Sequence, residues 1–203
     1  MAWEVEPTPR FLKEAVSGAR GDWGPVFVYG SMLSPEAWTG LLGRIPDQRP
    51  ALLKGFARRS IMCNAAAGLL HQPGGLVVGQ AVTGLCPLER RLLDSVIDDG
   101  FVLIEVMVRH IDVPGEQEFA CTTYLWKEEF REALQDVDWD NENFHEMYLD
   151  EFVGLCSDMR EQQRTSQLAD EELKDLAMAR RRRKQDEESD DERASWKSKD
   201  DGG

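Results

Sequence analysis

The chain has 203 residues, 41% of them hydrophobic and 31% charged, a composition that suits a soluble globular body with one core of ordinary size plus an extension. Twenty-four Lys and Arg against 38 Asp and Glu leave a formal charge of -14, which speaks against a nucleic-acid partner, because phosphate binding needs a basic face. Apolar runs such as Phe101 to Ile104, which stops at Glu105, fall far short of the ~20 residues that a membrane-spanning helix needs.

The first ten residues carry neither a basic n-region nor an apolar h-region, so residues 1–21 are read as a leader, poorly ordered or a short helix. Pro25 to Tyr29 is a continuous apolar run that predicts a buried strand ending at Gly30. Ser34, Pro35 and Gly43 then frame a helix: a capping hydroxyl, a proline at the first turn and a glycine stop. Ala51–Leu53, Arg58–Ile61 and Leu76–Thr83 predict further strands. Pro87 opens a helix with Leu88, Leu92 and Val96 on one face. Two more strands are expected at Phe101–Ile111 and Phe119–Trp126. Phe144, Tyr148, Phe152, Leu155 and Met159 recur at helical spacing, predicting one amphipathic helix with that stripe facing the core.

The fold class follows from this order. Many short strands, few helices and no βαβ rhythm predict α+β: a small mixed, mostly antiparallel, barrel-like sheet with flanking helices, over residues 22–160. Residues 161–203 are read as a charged, helical-to-disordered tail, because from Asp158 onward 14 acidic and 11 basic residues accompany a single aromatic, Trp196. Within that tail Arg180–Lys184 is a basic block, an ordinary charged stretch or an import signal. With Cys63, Cys86, Cys121 and Cys156 widely spaced, no zinc pattern forms, and a reduced, cytoplasmic address is expected, with the nucleus as the alternative.

Chemistry concentrates at Tyr29-Gly30-Ser31-Met32-Leu33-Ser34. A strand runs through a glycine turn onto a helix start, so backbone N–H groups converge, and Tyr29 and Ser31 add hydroxyls; such a loop favours a carboxylate or an oxyanion. Asp136-Val-Asp-Trp-Asp140 lacks the glycine and closing Glu of a calcium loop and is read as solvated acidic surface. Asp94 is expected to face solvent or to cap locally, and Glu105 to point outward. Tyr124 and Trp126 are read as core packing or cavity lining, and nothing marks Cys63 as a nucleophile.

Phe27–Leu33, Ala51–Leu53, Val78–Leu85, Leu93–Asp98, Thr123–Trp126 and the closing helix with Phe152 occur in an order that resembles the gamma-glutamylcyclotransferase-like family, in its plant avirulence-induced branch. The resemblance covers residues 25–160. It implies a barrel-like α+β fold with a cavity beside the Tyr-Gly-Ser loop and a small γ-glutamyl substrate or ligand held at Tyr29–Ser34. It also implies cyclisation to 5-oxoproline with release of an amine, with no cofactor and no metal. In the family pattern a Glu takes the proton of the substrate's α-ammonium. Laid on without a gap, Ile97 falls at that Glu, Phe101 at a Tyr and Leu103 at an Arg. Asp98, in the turn-like Asp98-Asp99-Gly100, is the nearest carboxylate and the candidate for a displaced base. Two readings stand at this point: a cyclotransferase of weak or lost activity, and an inactive relative that binds a γ-glutamyl ligand or another protein.

Overall fold

The computed structural model of the protein describes residues 24–112, 115, 117–166, 174 and 178. The leader (1–21) and the basic block Arg180–Lys184 lie outside the described residues. Contacts divide the chain after Arg160 into two compact units, and everything below concerns the first.

Five strands close on themselves: β1 (Val26–Val28), β2 (Asp47–Ile61), β3 (Asn64–Thr83), β4 (Phe101–His110) and β5 (Phe119–Trp126). The hydrogen-bonded order runs β3-β1-β5-β4-β2 and returns from β2 to β3; a sixth strand, β6 (Leu134–Asp138), adds to the free side of β2. Among the described residues only β1 and β5 pair in parallel, so the sheet is mixed and mostly antiparallel, as the element order predicts. Closure removes the open edges that an antiparallel sheet would otherwise expose.

The Val-Phe-Val run of β1 is apolar at every position because both faces of the strand are covered. Phe27 points into the barrel with Leu53, Leu69 and Val108, whereas Val26 and Val28 pack outward against Trp38, Leu41 and Leu93. Those outer partners come from α1 (Pro35–Leu42) and α2 (Pro87–Val96). In α1, Pro35 fills the first turn and Gly43 stops the helix at φ 72°, in the left-handed region that glycine enters without penalty, as expected; Ser34 holds the N-cap position, but its hydroxyl makes no capping bond and turns to Glu36 instead. In α2, Leu92 is buried and Leu88 and Val96 partly so, on one face.

Two differences from the sequence expectations matter for the site. First, Ala51–Leu53 and Arg58–Ile61 are parts of one long strand, and its partner begins at Asn64 rather than at Leu76. Asp47–Lys54 pairs with Leu76–Thr83, and after an interruption Phe56–Ile61 pairs with Asn64–His71. The break, at Gly55 (φ 84°) and Gly74 (φ 77°), is a bulge that lets the hairpin change direction. Asn64-Ala-Ala-Ala-Gly68 and Pro73-Gly-Gly75 have poor strand propensity, so the outer half of β3 is set by pairing rather than by its own composition.

Second, the amphipathic stretch after Asp140 is two helices, α3 (Asn141–Met147) and α4 (149–160 within this unit), broken at Tyr148, where φ is -131° and ψ -12°. Asp140 caps α3 through its carboxylate, which accepts from the amides of Glu142 and Asn143. The predicted stripe splits accordingly. Phe144 is buried in the core, but Tyr148 and Leu155 remain 40% and 44% exposed. Among the described residues no helix is long and apolar enough to cross a membrane.

Candidate functional site

A cavity of about 570 Å³ opens on one side of the barrel. Four pieces of chain enclose it: the loop Val28–Met32, the hairpin tip Cys63–Ala67, the end of α2 with its following turn as far as Asp98, and the wall formed by Tyr148 and α4. Phe101 and Tyr124 close the floor. The outer half of the β2–β3 hairpin is therefore functional geometry: its bend carries the tip back to the loop.

The loop is held tightly from within. Gly30 lies so close to β3 that a Cβ built there would come 2.9 Å from the Cβ of Ala67. The Ala67 Cβ has no rotamer by which to move aside, so glycine is needed for the approach itself. Arg58 donates from Nη1 to the Tyr29 carbonyl at 2.7 Å while its guanidinium lies 5.1 Å over the Trp139 ring. The Tyr29 hydroxyl, for which the sequence suggests a role as a ligand donor, is instead turned into the barrel and donates to the Tyr124 carbonyl at 2.5 Å. Burial pushes that phenol well above its ordinary pKa.

A single 3-10 turn, Ser31–Leu33, follows. Leu33 N–H donates to the Gly30 carbonyl and Ser34 N–H to that of Ser31, so the amides of Ser31 and Met32 stand at the start of the turn, where no intrahelical acceptor exists. Tyr29, Gly30, Ser31 and Met32 all line the cavity. Leu33 and Ser34 do not. Leu33 packs on the helix-side cluster, and Ser34 is buried, its Oγ donating to Glu36 Oε2 at 2.6 Å. Their part is to hold the turn.

Across the cavity, Ile97 and Asp98 both contribute to the lining although they are neighbours in sequence. On a strand two successive side chains would face opposite ways, but here α2 has ended at Val96 and the chain turns. Asp98 Oδ1 accepts the Gly100 amide at 2.7 Å, a local side-chain turn that fixes the carboxylate. Its other oxygen is 3.5 Å from Asn64 Nδ2 on the hairpin tip, at the outer limit of a hydrogen bond. Ile97, Phe101 and Leu103 are each partly buried against the helix-side cluster.

Asp94 faces solvent, as expected, and also bonds inward. Its Oδ1 accepts from the Tyr124 hydroxyl at 2.5 Å and from Arg90 Nε at 3.1 Å. Arg90 is almost fully buried, donates to Thr122 Oγ1 at 2.9 Å and lies 5.7 Å from the centre of the Tyr124 ring. This network orients the ring of Tyr124 against the cavity from behind. Burial, more than the neighbouring charges, raises the Tyr124 pKa. Glu105 is exposed on β4, as its reading supposed.

Three cavity residues are not legible as such in the sequence: Cys63, Asn64 and Glu151. Cys63, at φ 56°, turns the hairpin, and Asn64 Oδ1 accepts the Ala66 amide at 2.8 Å. Glu151 looks like a solvent-facing helix residue; only the helical offset from Tyr148 to Leu155 could have drawn notice to it. Among the described residues no three His, Cys, Asp or Glu side chains converge as a metal site would require.

Comparison with known proteins agrees with this architecture. The family model described as "Gamma-glutamyl cyclotransferase, AIG2-like" matches residues 26–141. The AIG2-like protein C of Arabidopsis thaliana is 30% identical over 139 residues, 68% of this chain and 79% of that protein. A second Arabidopsis protein, Protein AIG2 C, is 26% identical over 136 residues, 67% of this chain and 81% of its own length. Among solved structures, an Arabidopsis thaliana protein determined in solution superposes with a TM-score of 0.50 at 26% identity, covering 70% of this chain and 84% of that one. The chain belongs to the gamma-glutamyl cyclotransferase, AIG2-like family.

Proposed function

We propose that the cavity binds a γ-glutamyl compound and that cyclisation of it to 5-oxoproline is slow or lost, because the position of the family's general base holds Ile97. The reaction would join the substrate's α-nitrogen to its γ-carbonyl carbon, break the amide C–N bond and pass two protons from the α-ammonium to the departing amine, which leaves as an ammonium. Since the nucleophile and the carbonyl are parts of one molecule, holding the folded-back geometry supplies much of the acceleration. In this reading the Ser31 and Met32 amides receive the substrate carboxylate or the developing oxyanion, and Asp98 stands in as the proton acceptor. A cytoplasmic setting goes with it, since all four cysteines are free thiols.

The observation that carries the reading is that Ile97 and Asp98 line the same cavity as Tyr29–Met32. A small molecule seated against the loop therefore meets an apolar side chain where a base is wanted and a carboxylate one residue further on. Losing a positioned base commonly costs about 10²–10⁴ in rate.

The test is to incubate the full chain with γ-glutamyl dipeptides and γ-glutamyl amines, beside Ile97→Glu and Asp98→Asn, and to quantify 5-oxoproline. The expected result is slow or no turnover by the native chain and a gain of about 10²-fold or more in Ile97→Glu. Any native turnover should vanish in Asp98→Asn. Turnover by the native chain at a rate untouched by Asp98→Asn would remove Asp98 from the mechanism. Lack of any bound γ-glutamyl compound by calorimetry, in the native chain and the Ile97→Glu variant alike, would overturn the reading.

A further inference from the structure

We infer that the bare outer face of the barrel, on β3, β2, β4 and β5 away from α1 and α2, is where two copies of this chain meet, each giving the same face to a two-fold contact.

The face follows from the strand register. Leu53, Val77, Val108 and Cys121 point into the barrel and are buried. The residues alternating with them point outward. Lys54 stands opposite Leu76, Leu52 lies between Val78 and Arg109, and Met107 stands opposite Ala120. Ile111 follows β4, its amide donating to the Pro50 carbonyl at 3.1 Å. An antiparallel sheet with one face in water ordinarily sets apolar residues inward and polar ones outward. Here Leu76, Val78, Met107 and Ile111 are 62%, 58%, 50% and 49% exposed. None of the four belongs to either core cluster, and none lines the cavity, so the contact is independent of what the cavity binds. Among the described residues, α1 and α2 cover the neighbouring part of the sheet, at Val26, Val28, Val82 and Tyr124, and leave this part open. Neighbouring half-exposed large side chains mark a contact surface, whereas apolar residues scattered singly do not.

Charge names the occupant. The chain as a whole carries -14, and Lys127 to Glu151 alone hold ten acidic and two basic residues. On the bare face and its rim, among the described residues, the signs cancel. Lys54 pairs with Glu118 at 2.8 Å and Arg49 with Asp112 at 3.0 Å, and the exposed Arg109 and Glu105 are one of each sign. Two copies approaching by their acidic sides repel, whereas by this face they meet no net charge. A partner of one dominant charge finds no counterpart here. A surface carrying both signs is able to match its own copy across a two-fold axis.

Size sets the strength. Four strands ~4.8 Å apart, with about six residues of each at ~3.3 Å, span roughly 20 by 20 Å. That is the low end of specific interfaces, which bury about 800 Å² per partner, so a dissociation constant on the order of tens of micromolar is expected.

The test is sedimentation equilibrium of the full chain from about 1 to about 300 μM, at low and moderate salt. The expected result is a monomer–dimer equilibrium that tightens as salt screens the net charge of the two copies. Val78→Glu and Met107→Glu each place an unpaired carboxylate in the contact and should weaken the dimer about tenfold or more. Val137→Glu, on the exposed β6, should leave it unchanged. A dimer that survives both face variants, as one joined through residues 161–203 would, overturns the inference. So does association that weakens with salt, the sign of a charge-driven contact. A chain monomeric at every concentration overturns it too, and urea unfolding of the variants then says what takes the face. Lowered midpoints in both would mean that the chain itself covers it, and unchanged midpoints that it is left to a different protein.

Discussion

The two sides of the cavity are built on opposite terms. On the loop side, Val28–Ser34, two of the three polar side chains are spent within the protein, the Tyr29 hydroxyl on a backbone carbonyl and Ser34 on Glu36, and Arg58 beneath the loop is spent on the carbonyl of Tyr29. On the other side, Asp98 and Glu151 are exposed, and Asp98 is bonded only to its own turn and, weakly, to Asn64. The difference teaches where each job resides. A wall whose side chains are spent offers fixed backbone amides, hence a rigid receptor; a wall with free carboxylates can change its chemistry at little cost to the fold. Ile97, the position proposed to lack a base, belongs to the second wall and, like Phe101 and Leu103, packs on the helix-side cluster.

Substitutions can break or sharpen that contrast. The largest effect is expected where β1 runs over β3. A Cβ at Gly79 would come 2.2 Å from the Val28 carbonyl oxygen and 2.6 Å from the Phe27 ring. Gly79→Ala should cost about 3 kcal/mol, the upper end of overpacking penalties, measured by urea unfolding. A loss under about 1 kcal/mol would mean that the loop wall is not rigid and that the contrast fails. Tyr29→Phe should come next. It leaves the ring in place and removes the hydroxyl donated to the Tyr124 carbonyl, costing about 1–2 kcal/mol by the same measurement.

These two positions also show what was readable in advance. The Val26–Val28 strand, the capped helix from Pro35 to Gly43 and the strand Phe119–Trp126 carry strong local signals, and the structure places them within a residue or so of the expected limits. The wall elements do not. Asn64–Ala67 is strand only because β2 pairs with it, and the break at Tyr148 depends on where the helices meet the barrel rather than on any proline or glycine. Tyr29 was legible as a loop residue, but the direction of its hydroxyl is fixed by a carbonyl 95 positions away. Long-range pairing of this kind leaves no local trace, which is why the bond from the Tyr124 hydroxyl to Asp94 and the place of Glu151 on the cavity rim go unseen in the sequence.

A smaller effect is expected at the base of the second wall. Glu89 joins α2 to the segment after α1: Arg44 donates to its two oxygens at 2.7 and 2.8 Å, and the Cys86 amide donates at 2.9 Å, closing a capping box. The bonds from Arg44, ahead of the other causes, hold the Glu89 carboxyl below its ordinary value of 4.5. A carboxylate so depressed stabilises the fold above the unfolded pKa, and the contribution disappears as pH falls through the folded one. Because Arg44 is 44% exposed, solvent screening limits the pair, and Glu89→Gln should cost about 1 kcal/mol at pH 7. Native and variant stabilities should converge as the pH drops below about 4.5. A difference that persists unchanged at pH 3 would show that the pairing charge is not the source.

The smallest effect on stability is expected at Asp98, the residue on which the proposed chemistry leans most. Its Oδ1 accepts the Gly100 amide at 2.7 Å, and the side-chain oxygen of an asparagine accepts the same bond, so Asp98→Asn keeps the turn. The Asn64 contact, at 3.5 Å, contributes little. The carboxylate is exposed, so its removal relieves no buried charge. The unfolding free energy should therefore stay within about 0.5 kcal/mol of the native value. Against that near-silence, loss of any 5-oxoproline formation in the same variant would locate catalysis on the wall that the fold can spare. If instead Asp98→Asn unfolded the chain with Gly79→Ala, the second wall would be as structural as the first, and a carboxylate displaced by one residue could not have been tried there without cost to the barrel.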